Sequence, residues 1–275
     1  MFFRIFAIDY YFQEVNKPTV SSPYYTNILN TMTKMLPYSD HVADLFCSCL
    51  QISNPTHRNL VINHLSIRCY KPKETIYHEG DLPLNLFFMI EGKAKIFREN
   101  AKHDRILRML APLEFFGYPP YFTSSRFYVS VICVESSIVA AIPLSVMKEL
   151  IEKEPQVSQY FLRQFAILLS ISDQRGEVIA RMNLRARLSM GLLYLSYKFG
   201  MEEDGQTLNV RLTREELGDL TNMNTSNAIR TLSQFASEGL IKTQGRRILL
   251  IDKDRLMNEI EDPGLLLESV QIGKY

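Results

Sequence analysis

The residues best suited to chemistry in this chain lie near its C-terminus. They are Ser226, Asn227 and Arg230, close to the start of a predicted helix. Their chemistry is hydrogen bonding rather than bond breaking. The arginine fork matches the O6/N7 edge of guanine, and an asparagine amide can pair bidentately with adenine. Small polar groups beside one arginine at an exposed helix start suit the edges of base pairs in a major groove. The helix is capped by Asn224 or Thr225 and turns Ala228, Ile229, Leu232 and Phe235 inward. An earlier short helix opens at Thr213, which with Glu216 three residues later has the spacing of a capping box. Leu217 and Leu220 supply its buried face, Gly218 lets a neighbour approach closely, and Asn222–Asn224 forms the turn between the two helices.

A strand, tight glycine turn and second strand follow over Gly239–Ile251, with Gln244, Arg246 and Arg247 at the tip where phosphates would pass. Between Thr225 and Arg247 four basic residues (Arg230, Lys242, Arg246, Arg247) face one acid, Glu238. From residue 183 onward the balance is 12 basic to 13 acidic, so any positive surface is confined to this face. Thr213, Asn224, Thr225, Ser226, Asn227, Arg230, Gln244, Arg246 and Arg247 therefore form the expected DNA-binding set. The alternatives are a solvated helical hairpin, or a winged helix that docks a protein instead of DNA.

Other chemistries find no support. There is no phosphate-binding glycine loop, no glycine-flanked nucleophile and no zinc-type histidine pair on a helix, so no enzyme is expected. The four cysteines (Cys47, Cys49, Cys69, Cys133) have no disulfide framework spacing and suit a reducing cytoplasm. No segment approaches the roughly 18 apolar residues of a membrane span, and Met1–Ala7 lacks the features of a signal peptide.

The elements that position these residues divide the chain. At 275 residues there is room for two modest domains with their own cores. Residues 1–40 are rich in Phe and Tyr, broken by Pro18 and Pro23, and form either an accessory extension or a start placed too far upstream. Residues 41–155 form a first domain, the sensor domain of the family resemblance given below, whose Cys69–Pro143 stretch reads as β, a small antiparallel barrel or roll. Runs at Thr75–Tyr77, Leu86–Ile90, Ala94–Phe97 and Ile138–Ile142 alternate with turns at Glu79–Asp81 and Glu91–Lys93. After a short helix at Ser145–Glu152 and Pro155, a long helix spans 156–182. Its apolar positions Val157, Phe161, Leu168, Ile171 and Val178 fall on one stripe. Pairing of that stripe in a homodimer is the expectation, assigned to Phe161, Leu168, Ile171 and Val178; intramolecular packing is the alternative. Gly176 weakens this helix midway. Residues 183–275 hold a helix over Leu184–Phe199, a short strand around Leu208–Leu212 and the helix pair and wing described above.

From about Cys47 to Asp254 the chain resembles the cyclic-AMP receptor protein/FNR (Crp/Fnr) family of bacterial regulators. The sensor carries the resemblance at Ile76-Tyr-His-Glu-Gly-Asp81, Leu86-Phe-Phe-Met-Ile-Glu-Gly92, Glu114-Phe-Phe-Gly117 and Glu135–Pro143. The reader carries it at Leu212–Gly218, Asn227–Leu232 and Glu238-Gly-Leu-Ile241. It implies an α+β protein: an N-terminal cyclic-nucleotide-binding-type β-roll, a long dimerisation helix and a C-terminal winged helix-turn-helix. It also implies a homodimer on a two-fold-symmetric operator and RNA polymerase as a partner.

Departures from the family pattern carry their own expectations. The family's phosphate cassette has Gly-Glu, then Arg followed by small residues. Here Gly117 precedes Tyr118, Pro119 and Pro120 replace the next turn, and Phe127 and Tyr128 follow Arg126. These five residues (Gly117, Tyr118, Arg126, Phe127, Tyr128) are the effector-pocket candidates. Their aromatics are expected to fill the pocket, with Arg126 either an effector contact or a surface ion pair. Cyclic AMP is disfavoured. An iron–sulfur cluster is disfavoured too, because Cys47-Ser-Cys49 is too sparse, the family's fourth ligand position holds Ala140 and Cys133 points into the roll. Haem is disfavoured because His41, His57, His64, His78 and His103 are scattered. No cofactor is expected. Thr225 and Ser226 stand where the best-known family member has an Arg and a Glu, so the half-site should differ from that of the cyclic-AMP receptor.

Overall fold

The computed structural model describes residues 38–99 and 104–261 together with 264 and 266; the side chains of 38, 174–178 and 180 are left aside. Most of the expected extension at 1–40, together with His103 and the side chain of Val178, lies outside the described residues, and of Gly176 only the helical backbone is described.

Two helices, α1 (Tyr38–Cys49) and α2 (Pro55–His64), precede a roll of two four-stranded antiparallel sheets. One sheet runs β1 (Ser66–Tyr70), β8 (Ser137–Pro143), β3 (Asn85–Glu91), β6 (Phe115–Phe116). The other runs β2 (Thr75–Tyr77), β7 (Ser130–Cys133), β4 (Ala94–Arg98), β5 (Arg105–Leu110). Strand β3 shows why the sequence here is apolar without alternation. Phe87 and Met89 face the second sheet, while Leu86, Phe88 and Ile90 face a helical layer, so both surfaces are buried. Phe46 of α1 meets Phe88 and Phe115 edge-on at 5.7 and 5.0 Å. The turn into β4 demands glycine at position 92: its φ is +90°, and an added Cβ would lie 2.3 Å from Ser137 Oγ.

After α3 (Pro119–Thr123) in the loop before β7 and α4 (Leu144–Lys153) after β8 comes the long helix α5 (Pro155–Arg181), with Pro155 at its start. Part of its stripe is covered from within the chain: Phe161 and Ile171, two of the expected dimer residues, are buried, Leu168 is half-buried and the side chain of Val178 lies outside the described residues. Phe161 is 1% exposed and, with Val157, belongs to the core formed with α1 and β3, against which Leu168 also packs. Ile171 clusters with Ile167, Leu168, Ile179 and Met190. The large apolar residues left in solvent are Leu162 (70%) and Leu169 (63%), seven residues apart on another face. The roll covers Val157 and Phe161, and Met190 of the following helix joins the cluster at Ile171.

The reader begins with α6 (Leu184–Phe199), capped by Asn183, followed by α7 (Arg214–Thr221), α8 (Thr225–Ser237), the hairpin β9 (Ile241–Gln244) and β10 (Arg247–Leu250), and α9 (Lys253–Asn258). The strand expected at Leu208–Leu212 does not form; only single bridges join Met201 to Leu208 and Thr207 to Leu249. Leu208, Val210 and Leu212 are nevertheless buried, so the alternation reported burial rather than a ladder. Their core continues into the roll, where Phe97, Ile106 and Met109 join Leu193, Leu217 and Phe235.

Candidate nucleic-acid interface

The helix-turn-helix is built by local hydrogen bonding. Thr213 Oγ1 accepts from the Glu216 amide at 3.1 Å, and the Glu216 carboxylate accepts from the Thr213 amide at 2.9 Å, completing the capping box. The turn needs Gly218, because a Cβ there would come 2.8 Å from the Met223 carbonyl oxygen. Asn222 takes the left-handed conformation (φ +54°) that ends α7. Asn224 then caps α8, its Oδ1 accepting from the Asn227 amide at 2.8 Å.

On α8, Ala228, Thr231, Leu232 and Phe235 are buried. Ile229, expected to face inward with them, is instead 47% exposed. The buried stripe steps by three, four and seven from Ala228, which turns position 229 outward beside Ser226 and Arg230. Thr231 takes an inward place and donates back to the Asn227 carbonyl at 2.9 Å. Arg230 is exposed and its guanidinium donates to Asn227 Oδ1 at 2.6 Å, so these two side chains present one preset donor–acceptor unit. Only their three-residue spacing pointed to that pairing in the sequence.

The wing departs from expectation at one arginine. Arg246 and Gln244 are exposed at the hairpin tip. Arg247 instead pairs with Glu202, whose other oxygen lies 3.6 Å from Arg211. Arg214, unremarked in the sequence, holds the tip by donating to the Gly245 carbonyl at 2.9 Å. Gln244, Arg246 and Arg247 line one wall of a cleft of about 650 Å3 whose other wall is the roll, including Lys93 and Glu135.

In the roll, Gly117 has φ +79° and sits against the Phe87 ring. Tyr118 is buried, its ring 5.1 Å from that of Phe161 and 5.4 Å from that of Phe165. Phe127 stacks on Tyr77 at 3.8 Å. Tyr128 does not share this burial and is 50% exposed. Arg126 is exposed and donates to the Gly80 carbonyl at 2.8 Å, which is neither of the roles expected for it. Cys47, Cys49 and Cys133 are buried and Cys69 is exposed. Burial pushes the Cys47 thiol up to about 11, which keeps it protonated at neutral pH. Among the described residues no three His, Cys, Asp or Glu side chains gather as a metal site would require.

Roll and reader meet along a seam of charge. Lys198 of α6 pairs with Glu114 in the roll, and both side chains are under 10% exposed. Lys95 of β4 reaches Glu216 of the capping box at 3.0 Å. The Met109 amide donates to the Tyr194 hydroxyl at 3.1 Å.

Residues 67–154 match the cyclic nucleotide-binding domain family and residues 186–259 match the Crp-like helix-turn-helix domain family. The chain belongs to the Crp/Fnr family. Among similar proteins, the CRP-like cAMP-activated global transcriptional regulator of Mycobacterium tuberculosis is 26% identical over 66% of this chain and 82% of its own length. The cAMP-activated global transcriptional regulator CRP of Pasteurella multocida is 22% identical over 69% and 91%. FixK2 from Bradyrhizobium japonicum shares the fold, with a TM-score of 0.64 at 18% identity over 72% of this chain and 98% of that one. This Crp/Fnr chain is thus a transcriptional regulator with a helix-turn-helix DNA-binding domain, and its relatives are a non-enzymatic class. Among the described residues no helix is long and apolar enough to cross a membrane.

Proposed function

We propose that the chain acts as a homodimer on a two-fold-symmetric operator, with α8 reading base edges and the wing tip resting on phosphate. The observation that carries this reading is the exposed face of α8, where Ser226, Ile229 and the Asn227–Arg230 unit project from a helix whose start is fixed by the Asn224 cap. Arg230 suits a guanine, and Ile229 suits a thymine methyl group. Two such readers, each entering a major groove about one helical turn apart, call for a two-fold repeat. The exposed Leu162 and Leu169 on α5 supply an apolar contact for a second copy. As a regulator of initiation in the cytoplasm, its protein partner at the promoter is RNA polymerase.

The effector is one other than cyclic AMP, or there is none. Tyr118 stands where the family's ribose-binding carboxylate belongs, and Phe127, which stands where a small residue is wanted, stacks on Tyr77. Fluorescence anisotropy with duplexes from the chain's own upstream region tests the whole reading. Binding should be salt-sensitive, prefer one sequence over scrambled duplex, and be unchanged by cyclic AMP. Absence of salt-sensitive duplex binding would favour a wing that docks protein. A saturable gain with cyclic AMP would overturn the effector assignment.

A further inference from the structure

We infer that Asn227 sets the base preference of α8: paired with Arg230 it reads two adjacent keto bases, guanine and then guanine or thymine, and excludes adenine. The inference rests on the proposed role of α8 as the helix that meets base edges. A guanidinium has donors only, so the atom that Asn227 turns toward Arg230 is its amide oxygen, at 2.6 Å. That bond is charge-assisted, and it takes the acceptor that a bidentate contact with adenine would need. What remains for a base is the Nδ2 amine of Asn227 and the other guanidinium hydrogens, none of which has a partner among the described residues. The pair is therefore a block of donors carrying one positive charge.

The rest of the face points the same way. Helix α8 contains no Asp or Glu, so no carboxylate stands ready for the N4 amine of cytosine. In the major groove guanine offers acceptors at N7 and O6 and thymine one at O4, whereas adenine and cytosine present amines. A positive donor block attracts the first two and repels the amine hydrogens of the others. Ile229, exposed next to Arg230 in the chain, adds a surface for a thymine methyl group and nothing for an amine. The backbone of Asn227 is fixed without its side chain: its amide donates to Asn224 Oδ1 at 2.8 Å, and its carbonyl accepts from the Thr231 hydroxyl at 2.9 Å. The side chain is thus left to act on Arg230 and on a base, and its substitution leaves the cap of α8 in place. Adenine, open to Asn227 on sequence alone, is closed to it by the pairing.

Selection of the natural full chain on a pool of randomised duplexes, followed by anisotropy on single-base variants of the enriched sequence, tests the assignment. The enriched half-site should hold two neighbouring keto bases on one strand. Arg230→Ala should remove the guanine preference at one of them, a loss of about 10-fold in discrimination. Asn227→Ala should remove the preference at the other and weaken that at the first about 3-fold, because the arginine is no longer held. Asn227→Asp separates positioning from reading. Its carboxylate still holds Arg230, so guanine stays preferred at the first position, while the second turns to cytosine or adenine, whose amines a carboxylate accepts. A purely structural role for Asn227 would lower affinity for every duplex alike and leave both preferences unchanged. That result, or adenine preferred beside the guanine by the natural chain, would overturn the inference while leaving α8 as the reading helix. Duplex retention with no enriched sequence would overturn the reading of α8 itself, and the inference with it.

Discussion

At the scale of single residues, the proposed interface assigns base reading and phosphate contact to different side chains. Arg230 is pre-oriented by Asn227, so Arg230→Ala should cost about 1–3 kcal/mol at one base pair and relax specificity there. Anisotropy against single-base operator variants checks this; equal loss on every duplex would make Arg230 a phosphate contact. The two wing arginines should behave differently. Arg246→Ala should reduce the slope of log affinity against log salt by about 0.9, the signature of one lost phosphate contact. Arg247 is already neutralised by Glu202, so Glu202→Gln should free it and steepen the slope. A slope unchanged by Glu202→Gln would show that Arg247 leaves Glu202 on DNA without hindrance.

At the scale of elements, short polar loops hold the reader's shape. Asp204 shows this between α6 and the wing. Its carboxylate accepts from the Thr207 hydroxyl and from the amides of Thr207 and Gln206, and these bonds hold its pKa down to about 2. A carboxyl with a lowered folded-state pKa adds stability that is complete above its ordinary value of 3.8 and is lost as pH falls toward about 2. The difference in melting temperature between the natural chain and Asp204→Asn should therefore narrow steadily from pH 5 downward. A constant difference would assign the loop's stability to the backbone alone. The same economy explains the capping box, where Glu216 serves α7 and, through Lys95, the roll as well.

At the scale of the whole molecule, two features join its parts: a buried ion pair within the chain and an exposed apolar face on α5. The buried Lys198–Glu114 pair ties reader to roll, and burial lowers the lysine's proton affinity. Lys198→Met alone should destabilise the chain by about 3–5 kcal/mol, because Glu114 is left buried and unpaired; Lys198→Met with Glu114→Leu should be close to neutral. Denaturant unfolding of both variants measures the contrast, and equal losses would show that the pair itself is the stabilising feature. The proposed dimer contact lies on the exposed side of α5. Leu162→Glu with Leu169→Glu should give monomers in native mass spectrometry while leaving the fold intact, since both side chains stand in solvent. A dimer that survives would place the interface elsewhere.

Local chemistry in the sequence determined a great deal: the caps at Thr213 and Asn224, the glycine turns at 80, 92 and 245, the bounds of α6 at Leu184–Phe199 and the apolar strands of the roll. Each depends on residues a few positions apart, so composition and spacing suffice. The wing arginine that is spent on Glu202, the outward turn of Ile229, the covering of Phe161 by the roll and the buried pairing of Lys198 with Glu114 were not legible there. Each is settled by a partner distant in sequence or by which face of a helix meets another domain. Periodicity marks an apolar stripe without saying what covers it, and a charge count cannot tell a free cation from a paired one. Only the tertiary arrangement assigns those partners.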